Sequence, residues 1–198
     1  DQFFKGFDAK KVAKKLISKY SKYSDYTVKL LIEEWEETAR YGTYVHEEIE
    51  NWIRYNTYPK ETKSINGINW LKNYKLKSEY KIFPEMIIYS KELKIAGTID
   101  VLALDKKTNQ YDLIDWKTSK KIETSAFGGK VGTKPATNTI PDCNYSHYTL
   151  QLSLYRYILE EYYGLAIKNQ FIAHLKEDYA RGIEVPYMKD QILKMLGK

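Results

Sequence analysis

Two apolar runs joined by a polar hexapeptide, GTIDVLALDKKTNQYDLIDWK (97–117), constrain this chain more than any other stretch. If the turn centres on Lys107 and Thr108, antiparallel pairing sets Ala103 opposite Asp112, Leu102 opposite Leu113 and Asp100 opposite Asp115. Side chains alternate along a strand, so Lys117 emerges on the same face as Asp115. Directly opposed residues have Cβ atoms roughly 4.5–5.5 Å apart, where like charges repel. Two acids and a lysine on a mostly apolar hairpin therefore invite a compensating cation. That arrangement predicts a metal-dependent site for phosphodiester cleavage.

The hydrophobic period assigns the rest. Residues 8–21 start at Asp8, a suitable N-cap, and carry Val12, Leu16 and Ile17 at helical spacing. A second helix is expected over 25–40, capped by Ser24 or Asp25, with Val28, Leu31, Ile32 and Trp35 apolar. A third covers about 43–56, with Val45, Ile49, Trp52 and Ile53 as its stripe. Asn66-Gly67 is a turn signal, followed by a short helix over 68–76. From Glu79 the period changes: EYKIFPEMIIYS, KELKIAGTIDVLAL and YDLIDWKT read as strands with turns at 90–92 and 105–110. Pro84 puts the first at an edge or marks an irregularity. Residues 120–145 form a polar stretch of a length that is usually functional or disordered. HYTLQLSLYRYILEEYYG is a helix stopped by Gly164. KNQFIAHLKED and RGIEVPY are two further strands, and a last helix covers 188–196. With no repeat and no boundary visible, this order predicts one α/β domain over 1–198, mainly helical over 1–78 and catalytic over 79–198.

A chain of 198 residues, 43% hydrophobic and 29% charged, can bury a sizeable core. No apolar run approaches the ~18 residues of a membrane span. The first residues do not resemble a signal peptide, so an intracellular protein without a membrane partner is expected. Asp1 in place of Met leaves room for a longer polypeptide. The net charge of +6 and pI of about 9.0 suit a polyanionic partner, although a lysine-rich composition also follows from nucleotide bias. Arg40, Arg54, Arg156 and Arg181 are the only guanidinium donors, so phosphate contacts are expected rather than base reading. The single cysteine, Cys143, reads as a free thiol in a loop; it excludes an intramolecular disulfide and a four-cysteine iron–sulfur or zinc site within this chain.

Four segments together resemble the PD-(D/E)xK nuclease superfamily. Within it the chain is similar to the RecB-like exonuclease branch, which includes viral, phage and mitochondrial-type single-strand DNA exonucleases. That branch pairs a G-T-I-D-type strand with an I-D-[WY]-K-T strand, as GTID (97–100) and IDWKT (114–118) do here. Its upstream helical histidine motif is matched by GTYVHEEIE (42–50) with His46, and its downstream Q-x-x-x-Y helix by QLSLY (151–155). The resemblance covers about residues 42–160. It implies a restriction-endonuclease-like core, with a mixed central β-sheet flanked by helices, beside the N-terminal helical region.

The expected site follows residue by residue. Asp100 and Asp115 are hard oxygen ligands suited to one or two Mg²⁺ or Mn²⁺ ions. The resemblance adds the backbone carbonyl of Trp116 as a ligand, and His46 as a ligand or the neighbour of one. Outside that pattern, His46 reads as a core-edge histidine bonded to Glu50 at i+4. An imidazole beside carboxylates would favour Mn²⁺ somewhat. Glu85, one strand from Asp100, is either a further ligand or an exposed edge charge. Lys117 would orient the attacking water or stabilise the pentacovalent phosphate, and would serve as a base only with a lowered pKa. Gln151 and Tyr155 share a helix face, with Gln151 suited to a phosphate or metal-bound water and Tyr155 to stacking or hydrogen bonding. Lys120, Lys121, Lys130 and Lys134, with Phe127 or Tyr145 stacking on bases, are candidates for gripping a single strand. FGGKVGTK lacks the spacing of a nucleotide-binding loop. His147 and His174 read as structural, with no acid or cysteine at ligand spacing. The resemblance thus implies a DNA nuclease acting on ends or single strands, with an endoribonuclease and a catalytically silent nucleic-acid-binding module as the alternatives.

Overall fold

Asp8 starts the first helix as expected: its carboxylate accepts the Lys11 N–H at 3.0 Å and caps α1 (Ala9–Lys19). The computed structural model describes residues 3–75 and 79–198. The two helices expected over 25–40 and 43–56 are one, α2 (Val28–Tyr55), capped by the Thr27 hydroxyl on Leu30 N–H rather than by Ser24 or Asp25. A glycine inside a helix costs only about 1 kcal/mol, and the helix runs on through Gly42 to bury Val45 and Ile49 beyond it. α3 (Thr62–Lys75) likewise runs through the expected Asn66-Gly67 turn. There Gly67 serves packing: a Cβ would stand 3.0 Å from Ile49 Cδ1 and 3.1 Å from a Leu175 methyl. Residue 76, the expected end of this helix, lies outside the described residues.

β1 (Tyr80–Ser90), β2 (Ile95–Asp105) and β3 (Gln110–Lys117) form an antiparallel meander. The first turn occupies 91–94 rather than 90–92. The second has the expected register, with Leu102 facing Leu113 and Ala103 facing Asp112. Asp105 Oδ1 accepts the Lys107 N–H at 2.8 Å and holds that turn. α4 (Asn144–Tyr163) starts three residues before His147 and stops at Gly164, whose φ is 65°. It carries the chain across so that β4 (Ile167–Leu175) lies parallel to β3; β5 (Ala180–Glu184) follows antiparallel, and α5 (Lys189–Leu196) ends the order. The fold is α/β, a five-stranded mixed sheet ordered β1-β2-β3-β4-β5 and flanked by helices, with a helical N-terminal region. The 120–145 stretch is anchored by a bridge from Val131 to Pro141 and by buried Thr137, Ile140 and Cys143. Cys143 is a free thiol in the loop before α4, as expected, but buried; its Sγ lies 3.3 Å from Ser146 Oγ.

α2 and α3 cover one face of the sheet, packing Val45, Ile49, Ile68 and Leu71 on Val101, Ala103, Ile114 and Trp116. α4 covers the other, packing Leu152, Ile158 and Leu159 on Ile88, Ile99, Leu102 and Leu113. Ile99 and Val101 are two residues apart yet belong to opposite faces, so the alternation slips at Asp100. β1 slips at the same level, because Phe83 and Ile88, five apart, both join the α4 side. The pairs Pro84–Val101 and Met86–Ile99 bracket Glu85 and Asp100, and Glu85 has a φ of 48°, strained for a residue with a side chain. The irregularity expected from Pro84 is thus a joint break in the pleat of two strands.

Candidate metal centre

Three elements meet at this break. α2 brings His46, β1 brings Glu85 and β2 brings Asp100, with one ligand atom of each within 4.8 Å of the others. Thr43, Glu47 and Glu50 complete the lining of an open cleft of about 430 Å³. His46 Nδ1 lies 3.5 Å from Asp100 Oδ2, and the same oxygen accepts the Trp116 N–H at 2.7 Å. The second bond ties β2 to β3 beyond Val101–Ile114, the last pair of their ladder. Glu50 is not the partner of His46. Its carboxylate meets Arg54 Nε at 2.6 Å, and Arg54 reaches on to the Pro84 carbonyl at 3.0 Å. Arg54 therefore fastens β1 to α2 beside Glu85. Neither Arg54 nor the rim residues Thr43 and Glu47 stood among the expected site residues. Thr43 was within reach of helical spacing, one turn before His46 on the same face.

Asp115 and Lys117 form a second unit. Trp116 is buried in the α2–α3 face, so the residues on either side of it turn toward α4. The Asp115 side chain is only 6% exposed, and its Oδ2 stands 2.5 Å from Lys117 Nζ as an ion pair. Lys117 Nζ also lies 4.6 Å from the ring centre of Tyr148. Tyr148 was hidden among 19 tyrosines, although it precedes Gln151 by one helical turn. The hairpin acids thus divide: Asp100 joins His46 and Glu85, whereas Asp115 is outside that cluster and holds Lys117.

Gln151 Nε2 donates to the Tyr155 hydroxyl at 3.2 Å. The Tyr155 ring lies over Gly97, where a Cβ would come within 2.5 Å of it. Tyr155 thereby moors α4 against the strand that carries Asp100.

Burial raises the Asp100 pKa well above its ordinary value, with the Asp115 charge adding to the effect and Lys117 and the Trp116 N–H opposing it. Asp115 is raised by burial against the pull of Lys117. Burial alone would lower Lys117, but Asp115 outweighs it and the pKa rises. Glu85 is raised by burial and by Glu50, with Arg54 opposing. His46 is pushed down to about 4 by burial and the Lys117 charge, against a hydrogen bond to the Trp116 backbone. Its imidazole is therefore neutral at pH 7. Carboxyl groups that resist ionisation beside a neutral imidazole are what a divalent cation relieves.

The basic residues of the long segment divide. Lys130 lines a cleft beside α1, whereas Lys134 lies in another with Phe3 and Lys194. The backbone carbonyls of Lys120 and Lys121 accept from Lys176 Nζ and Asn144 Nδ2, each at 2.8 Å. Phe127 is exposed. Contrary to expectation, His147 has an acid partner, Asp142 Oδ1 at 2.9 Å. His174 sits buried with Nε2 at 2.7 Å from the Ser119 carbonyl. No helix among the described residues is long and apolar enough to cross a membrane. No protein-family model matches the chain, and no curated protein matches it in sequence.

Proposed function

We propose that this chain is a metal-dependent deoxyribonuclease, similar to the RecB-like PD-(D/E)xK enzymes, acting on DNA ends or single strands. The observation that carries the reading is the meeting of His46, Glu85 and Asp100 within 4.8 Å, next to the Asp115–Lys117 pair. Two carboxylates and a neutral imidazole fit Mg²⁺ or Mn²⁺, with the Asp115 carboxylate, held by Lys117, and the Trp116 carbonyl nearby as further oxygen donors. When bound, the ion would supply Lewis-acid polarisation of a phosphate and a lowered pKa for water.

The protein's own groups do the rest. Lys117, kept protonated by Asp115, offers positive charge to the phosphate as it becomes pentacovalent. Its raised pKa makes it a charge stabiliser rather than a general base. The Tyr148 ring flanks the ammonium and limits its reach. A neutral His46 keeps one ring nitrogen as a lone pair for a ligand. Arg54 holds the β1 backbone beside Glu85.

The test is digestion of end-labelled linear and closed circular DNA, single- and double-stranded, with Mg²⁺ or Mn²⁺ and with EDTA. The expected result is cleavage of linear single strands with metal and none with EDTA, with matched RNA left intact. Asp115→Ala and Lys117→Ala should each lower the rate by about 10²-fold or more. An Asp115→Ala protein with full metal-dependent activity would sink the proposal.

A further inference from the structure

A second cleft, of about 530 Å³, opens between the segment Lys5–Lys15 and the start of α4. We infer that it is a groove for the sugar–phosphate backbone of a single nucleic-acid strand, leading to the candidate metal centre; the nature of the ligand rests on the nuclease reading above. Lys5, Lys11 and Lys15 line one wall and Lys130 the other. None of the four is ion-paired with an acid among the described residues. The two acids in the walls have hydrogen-bond partners other than the lysine ammonium groups. Asp8 Oδ1 accepts the Lys11 N–H at 3.0 Å, and Asp142 Oδ1 meets His147 Nε2 at 2.9 Å. With four lysines against two carboxylates the cleft carries a net positive lining, the complement of a phosphate backbone.

Two further features favour a single strand. Phe7 lines the cleft and is 69% exposed, although its ring centre stands only 5.6 Å from that of Trp35. A fixed, exposed ring beside a row of lysines is the arrangement on which an unpaired base stacks. Lys11 and Lys15 follow one another on one face of α1, about 6 Å apart along its axis, as a backbone running along the helix requires. The cleft also lies close to the chemistry. His147 is in its wall, and the next residue, Tyr148, contacts Lys117. Asn144 in the same wall bonds Lys121 and Glu123, fixing the path between the cleft and the end of β3.

The test uses the full chain and a fluorescein-labelled oligothymidylate, read by anisotropy in EDTA so that binding is separated from cleavage. Lys11→Gln/Lys15→Gln should bind about 10-fold more weakly than wild type. Its log K against log[salt] slope should be shallower by about 1.4, two single-strand phosphate contacts. Phe7→Ala should weaken binding with the slope unchanged. Lys106→Gln/Lys107→Gln, the same charge change at the β2–β3 turn, should bind as wild type does. Lys11 and Lys15 are both exposed, so the fold of the first variant is checked simply by circular dichroism. The inference is overturned if wild type does not bind, if the α1 variant binds like wild type, or if the turn variant loses as much. Cleavage with Mn²⁺ is scored separately. A protein that cuts but binds independently of Lys11 and Lys15 refutes the groove alone. One that binds through the groove but never cuts refutes the nuclease reading alone.

Discussion

Asp100 is buried within the fields of Asp115 and Glu85, and its pKa rises accordingly. A raised pKa means that the folded chain holds a proton which the unfolded chain has released. For an acid, that contribution is favourable below the unfolded value near 3.9 and is lost as the pH climbs through the raised one. At neutral pH and without a cation, the residue therefore opposes folding. Asp100→Asn should raise the melting temperature in EDTA at pH 8 by roughly 3–6 °C, or about 1–2 kcal/mol. The gap should narrow toward pH 5, and thermal unfolding across that range checks it. Parallel curves for wild type and variant would show that Asp100 carries no such load. Asp115→Asn should behave oppositely, because it strands the buried Lys117 ammonium without its partner.

Strand and helix meet tightly where the Tyr155 ring covers Gly97. A methyl group at Gly97 must displace that ring, together with the hydroxyl that accepts from Gln151. Gly97→Ala should cost about 1–3 kcal/mol. In a Tyr155→Leu background the same change should cost much less, and the coupling in a double-mutant cycle measures the contact. Additive losses would mean that Gly97 matters for some other reason. The hairpin holding Asp100 and Asp115 was legible because a period of two and one turn length fix its register. The break in the pleat at Glu85 and Asp100 was not, since counting by twos runs straight through it. The same limit hid which acids share a cluster. Helix lengths failed for a different reason: Gly42 and Gly67 carry a modest local penalty that packing outweighs, and packing partners such as Leu175 lie far along the chain. Tyr148 and Arg54 left no local mark, because their importance comes from what stands opposite them.

The net charge of +6 averages two opposed regions. Glu47, Glu50, Glu85 and Asp100 crowd one cleft, while lysines from α1 and Lys130 line the other. On the proposed reading, a cation taken up by the first would lower its negative field and so favour a phosphate backbone arriving from the second. The candidate ligand atoms come from α2, β1 and β2 and converge only in the folded chain. Binding to the fold alone stabilises it by about 2.7 kcal/mol at a hundredfold excess over Kd. For a chain of this size that is roughly 5–10 °C in melting temperature. Mn²⁺ should give a larger shift than Mg²⁺ at equal concentration, because His46 supplies nitrogen. His46→Ala should erase that preference, and Glu85→Gln should reduce both shifts. Asp100→Asn, already relieved of its charge, should show little shift with either ion. Thermal unfolding during a titration of each ion reads all four proteins without requiring any cleavage. Equal small shifts in all of them would indicate screening of exposed acids rather than a built site. A wild-type shift that vanishes with Asp100 and loses its metal preference with His46 would locate the cation between α2 and the broken pleat.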